Sequence, residues 1–164
     1  MYDHRKPTPF VVLFIFILAT SAFSQTDKTS KNKAVVRGYL EEIANKRNWD
    51  LWDKYFPEKV VFNNSEVNEE GFKQILSSFL TIFPDSRLTI EEQIAEGDKV
   101  FTRVMMHGTH RGEYRGMPAS GKKVKFWGVA VDRIVDGKVV DMWHEIDTWG
   151  MMQQLGALPA TQKN

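Results

Sequence analysis

From Leu88 to Asp147 the chain is written almost entirely in strand-like runs. Leu88–Ala95, Val100–Arg111, Val124–Val135 and Val139–Asp147 follow one another with no helical pattern between them. The turn Glu96-Gly97-Asp98 and a glycine-rich loop over residues 112–123 separate the first three, and Asp136-Gly137 closes the last two into a hairpin. Helical patterns lie almost wholly ahead of this block. Val36, Leu40 and Ile43/Ala44 recur at the spacing of a one-faced helix. Asn48 can cap a short second helix carrying Trp49, Leu51, Trp52, Tyr55 and Phe56, which Pro57 stops. After a short strand at Val60–Phe62, Asn68 caps a third helix with Phe72, Ile75, Leu76, Phe79, Leu80 and Phe83 at helical spacing. Helices segregated from consecutive strands mean an α+β fold. The expected shape is a cone: a curved antiparallel sheet wrapped over three N-terminal helices, with a short C-terminal helix at Met151–Leu155.

Residues 1–24 read as a secretory signal peptide. His4-Arg5-Lys6 is basic, Phe10–Ala19 is apolar, and Ala22 and Ser24 are the small residues before an expected cleavage after Ser24. The apolar run falls well short of the ~20 residues a spanning helix needs, so no stable membrane insertion is expected after cleavage. The mature protein is then exported, periplasmic or secreted. Residues 25–33 form a polar, flexible lead-in, 34–158 one domain and 159–164 a tail. The chain has no cysteine, so the domain has neither a disulfide nor a thiolate metal ligand and rests on its core alone. Losing Asp3, Arg5 and Lys6 with the signal levels the 22 basic and 21 acidic side chains to equal numbers. That balance argues against nucleic acid or an anionic membrane as partner.

The last run carries the candidate chemistry. Asp141, Trp143, Glu145 and Asp147 are spaced by two and share one face of a strand. If that face is internal, Asp147 is a carboxylate among rings: burial raises its pKa, as suits a base that takes a proton beside a carbonyl. The alternative is that Asp147 caps the last helix. A strict two-residue Asp136-Gly137 turn would pair Asp132 with Asp141, like charges side by side. A three-residue loop with Gly137 left-handed is preferred: it puts Arg133, with Trp127, Val129 and Val131, on the face of Val139, Asp141 and Asp147. Arg133 is then either an oxyanion stabiliser or the ion-pair partner of Asp141. His110, at a strand end beside the mouth loop, could hydrogen-bond a substrate oxygen or be a plain strand-end residue. Trp52, Tyr55 and Phe62 divide between pocket and core, and Trp127 and Trp143 join the ring-rich face. Asn63 could donate to a ligand carbonyl or belong to a polar turn. His107, His110 and His144 make no convincing zinc site, and no metal is expected.

Several local strings recur in one order: Phe83-Pro84-Asp85, Glu96-Gly97-Asp98-Lys99-Val100, Gly108-Thr109-His110-x-Gly112, Gly116-Met117-Pro118-Ala119-Ser120-Gly121-Lys122, Asp136-Gly137-Lys138-Val139, Trp143-x-x-x-Asp147 and Gln154-Leu155-Gly156. Over residues 34–156 the chain resembles the SnoaL-like polyketide cyclase (ester cyclase) family, within the nuclear transport factor 2-like superfamily. The resemblance implies the cone fold, no cofactor, and homo-oligomers formed through the sheet. It implies an intramolecular aldol ring closure in an aromatic polyketide ester, with an aspartate as general acid/base that falls on Asp147 by motif. Ketosteroid isomerase, which shares the superfamily fold by resemblance, does such work with an aspartate and no metal.

Three functions are expected in order. The first is cofactor-free proton transfer on a small apolar, carbonyl-bearing ligand. The second is extracytoplasmic binding of such a ligand without turnover. The third is an epoxide hydrolase-like activity, which needs Asp147, Arg133 and a further acid, Asp132 or Asp141, to converge on one water.

Overall fold

A computed structural model describes residues 27–158. The expected signal peptide and the tail lie outside the described residues. Helix α1 occupies residues 27–39 and widens into a π-helical turn at Leu40–Asn45. It begins ahead of Ala34, so most of the expected lead-in is helical. Asn32 explains part of this, because its buried side chain donates to the Gly97 carbonyl in a distant turn at 3.2 Å. Asn45 ends the element by bonding the Leu88 backbone in both directions, at 3.0 and 2.9 Å.

A single 3-10 turn, Trp49–Leu51, leads into α2 (Trp52–Tyr55), and β1 (Lys59–Phe62) follows. β2 (Ser65–Asn68) was not expected, since four mostly polar residues carry no apolar alternation. It exists because Asn63 and Asn64 both take positive φ, 45° and 66°, and fold Ser65 back onto Phe62. Asn68 then caps α3 (Glu69–Ile82) by accepting the Gly71 amide at 3.0 Å. β3 (Arg87–Glu96), β4 (Lys99–Thr109), β5 (Lys123–Val135), β6 (Lys138–Ile146) and α4 (Thr148–Leu155) complete the described chain.

The strands form one sheet in the order β2-β1-β6-β5-β4-β3, antiparallel throughout except for the short parallel contact of β1 with β6. Its inner face buries Val100, Val104, Met106, Val124, Phe126, Ala130, Ile134, Val139 and Met142. Against it pack Val36, Tyr39 and Ile43, then Trp52, Tyr55 and Phe56, then Phe72, Phe83, Met151 and Leu155. Tyr55 fits because Gly38 has no side chain: a Cβ there would lie 2.6 Å from the ring.

One residue decides which side of the sheet the last strand shows. Asp136 and Gly137 both have positive φ, 49° and 77°, so the hairpin turn has two residues and pairs Val135 with Lys138. The register then shifts between Arg133 and Ile134: Ile134 faces Val139, yet Arg133 faces Asp141. Val140 is the extra residue, and such a bulge reverses every side chain beyond it. Arg133 does oppose Asp141 as the preferred register requires, through a bulge in place of a three-residue loop. Val139 points inward while Asp141, Trp143 and Glu145 point outward. The expectation that this face is internal is corrected.

Candidate functional site

Beyond the bulge the residues that turn inward are Met142 and His144, and across the ladder they meet Asp132 and Ala130. Asp132 is 0% exposed, an unusual position for a carboxylate unless donors compensate its lost hydration. Two do. The Tyr39 hydroxyl of α1 donates to Oδ2 at 3.1 Å, and His144 Nε2 lies 3.2 Å from Oδ1. Burial and then the neighbouring Asp132 charge hold the Tyr39 phenol well above its ordinary value, so it stays a donor. An ionised Asp132 accepts from Tyr39 and from a protonated Nε2, which leaves Nδ1 of His144 as the free basic nitrogen. The His144 side chain keeps 25% of its surface, so this three-residue network is closed at the tyrosine and open at the imidazole.

Aromatic rings surround it. Phe62 meets the His144 ring edge-on at 5.2 Å and Phe72 at 5.8 Å. Phe56 lies 5.3 Å from Tyr39 and stacks on Trp52 at 4.4 Å. A cleft of about 360 Å3 touches this cluster through Trp52, and is otherwise lined by polar and acidic residues including Asp53, Glu58, Glu69 and Lys73.

The residues singled out from the sequence are distributed differently. Asp147 is the N-cap of α4: its carboxylate accepts the Gly150 amide at 2.8 Å, and its own amide bonds the Trp127 carbonyl at 2.9 Å. Gly150 suits this, because a Cβ there would collide with the Asp147 carboxylate. Arg133 lies on the outer face, 3.9 Å from Asp141 with both side chains exposed, a pair worth little in water. Trp127 and Trp143 are each 45% exposed on that face, and Trp149 is 63% exposed, so they enclose no chamber. Trp52 and Tyr55 are core, and Phe62 stands at the network. Asn63 spends its amide on the His144 backbone.

His110 is fully buried at its strand end. The Ser120 amide donates to its Nδ1 at 3.2 Å, and Nε2 has no partner. With Arg133 outside, Asp132 inside and Asp147 capping a helix, the convergence required for epoxide hydrolysis does not form. From the sequence, Asp132 is legible only as a further acid and His144 only as a possible metal ligand. The parity shared by Asp132 with Ile134, and by His144 with Met142, was the signal available once the bulge is known.

The sequence profile of the SnoaL-like polyketide cyclase family matches residues 34–155. Among solved structures, AclR from Streptomyces galilaeus, described as a candidate hydroxylase, is 27% identical over 80% of this chain and 99% of its own, with a TM-score of 0.67. A candidate polyketide cyclase from Acidithiobacillus ferrooxidans is 25% identical over 80% of this chain and 98% of its own, with a TM-score of 0.70. TsrD from Streptomyces laurentii is 26% identical over 79% and 97%, with a TM-score of 0.68. Comparison with curated protein sequences gives no match. The architecture is the nuclear transport factor 2-like cone. Matched through its helices, its sheet and its closing helix, the chain belongs to the SnoaL-like polyketide cyclase family.

Proposed function

We propose that the cone holds a small, largely apolar, carbonyl-bearing molecule and moves a proton on it without a cofactor, using His144 and Asp132 in place of Asp147. The supporting observation is the fully buried Asp132 bonded to Tyr39 and His144. In this reading His144 Nδ1 takes a proton from the carbon beside a carbonyl. The C–H electrons form an enolate, which attacks a second carbonyl of the same molecule. The new alkoxide then takes the proton back from the imidazolium. Atoms balance with no co-reactant, and Asp132 stabilises the transient imidazolium as Tyr39 holds its second oxygen.

The test uses an aromatic polyketide ester as substrate. Asp132→Asn and His144→Gln should each lower turnover on the order of 10²-fold or more, the usual contribution of a positioned acid/base group. Asp147→Asn should retain it. A folded Asp132→Asn protein with undiminished turnover would sink the reading.

A second reading, binding without turnover, draws on the use of the motif aspartate Asp147 as a helix cap. It predicts that bound ligand is recovered unchanged from the wild-type protein. Two further elements belong to this proposal. Export follows from the signal-like residues 1–24, and secretion assays on the full chain test it. Self-association through the sheet follows from an outward apolar row, Ile94, Phe101, Val131 and Trp143, paired strand to strand. At the ~4.8 Å spacing between strands the row is about 14 Å long. No described helix is long and apolar enough to cross a membrane.

A further inference from the structure

His144 sits where β6 loses its neighbour. β1 pairs with β6 only at Val61 opposite Asp141 and Phe62 opposite Met142. The Asn63 amide still bonds the Met142 carbonyl at 2.9 Å, and then the positive φ of Asn63 and Asn64 turns the backbone away into β2. The next rung of the ladder would be empty. The Asn63 side chain fills it instead: Oδ1 accepts the His144 amide at 2.8 Å, and Nδ2 donates to the His144 carbonyl at 3.0 Å. A carboxamide reproduces the donor–acceptor pair of a peptide unit on two separate atoms, which no carboxylate or aliphatic side chain can do.

We infer that Asn63 is a positioning residue: its side chain acts as a one-residue strand that sets the His144 backbone, so that the imidazole reaches Asp132. The ring is thereby held from three directions, by the backbone clamp, by Phe62 edge-on at 5.2 Å and by Asp132 at 3.2 Å. Without the clamp, water replaces Asn63 on an exposed strand edge, and the His144 backbone is held only by its pairing with β5 opposite Ala130. At 3.2 Å the Nε2–Oδ1 contact already stands at the long end of the hydrogen-bond range, so a small shift of the ring is enough to break it. The inference rests on the proposed Asp132–His144 reading, and the experiment tells the failure of one from the failure of the other.

The experiment is ¹⁵N NMR of the His144 imidazole in wild type, Asp132→Asn, Asn63→Gly and Asn63→Asp at one pH near neutrality, with thermal unfolding of each. Glycine tolerates the positive φ of position 63, so it removes the amide and spares the turn. Aspartate keeps the acceptor and loses the donor. The wild-type Nε2 signal should be that of a protonated nitrogen bonded to a carboxylate. Both Asn63 variants should lose that signature, as Asp132→Asn does, and turnover should fall about tenfold or more with KM little changed, as for a lost orientation. If Asp132→Asn moves the His144 signal and neither Asn63 variant does, the positioning role is overturned and the dyad stands. If Asp132→Asn itself leaves His144 unmoved, the dyad is overturned and the positioning role with it.

Discussion

Tyr39→Phe is the most direct test of the buried network. The substitution removes one oxygen and almost no apolar surface, so packing against Phe56 at 5.3 Å is retained and the change isolates one hydrogen bond. A hydrogen bond to a charged group contributes ~1.5–3 kcal/mol. At 3.1 Å this O–H···O contact is longer than the charge-assisted ideal, which places it at the low end, about 1.5 kcal/mol. Unfolding entropy of roughly 2.1 cal/mol/K per residue over ~130 residues converts that loss into a fall in Tm of about 5 °C. Urea denaturation near neutral pH measures it. Pairing with Asp132→Asn in a double-mutant cycle should return a coupling of similar size, because the contact is then counted once. A Tyr39→Phe protein within about 0.5 kcal/mol of wild type would refute the claim that Tyr39 compensates a buried charge. The sign at high pH is a second check. The folded phenol is held above its ordinary 10.0, so in both states it is protonated below that pH. As pH rises past 10.0 the unfolded chain ionises first, and the folded state loses this contribution to stability. The wild-type advantage over Tyr39→Phe should therefore shrink on the alkaline side.

Asp147→Ala should cost ~1 kcal/mol as a lost N-cap, whereas Asp147→Asn, which caps equally well, should leave Tm nearly unchanged. Gly150→Ala should lower stability by a similar amount through its clash with the Asp147 carboxylate, measured by the same denaturation. Thr109 donates to Asp85 through its hydroxyl at 2.6 Å and its amide at 2.7 Å, and these bonds hold the Asp85 carboxyl below its ordinary 3.8. Stability from this pair is present above that pH and declines as acid protonates the unfolded chain first; Thr109→Val should flatten that acid limb in a pH series of urea midpoints. Trp143→Lys on the outer face should leave monomer stability within about 0.5 kcal/mol and shift sedimentation toward smaller species.

Most of the architecture was legible because it depends on local pattern. The third helix was readable from Phe72, Ile75, Leu76 and Phe79, and its Asn68 cap formed as expected. The long strands β3 to β6 were readable from alternation, and Asp136-Gly137 from the turn chemistry it requires. β2 was not, since nothing in Ser65–Asn68 is apolar enough to repeat; two left-handed asparagines create it. The start of α1 is not legible either, because Asn32 is ordered by Gly97, a partner far along the chain.

The side of the sheet on which each functional group falls is a different kind of fact. Period two assigns Asp141, Trp143, Glu145 and Asp147 to one face from the sequence alone, and that grouping holds for the first three, while Asp147 lies beyond the strand as a helix cap. Which face they occupy depends on whether Val140 is inserted or paired, a choice set by how β5 and β6 together bury Ile134, Val139 and Met142 against the helices. The amino-acid order determined the long strands, the third helix and the family. Only tertiary packing decided that Asp132 and His144 turn inward while Arg133, Trp127 and Trp143 turn out, because a single unpaired residue in a ladder exchanges the two faces at the cost of one rung.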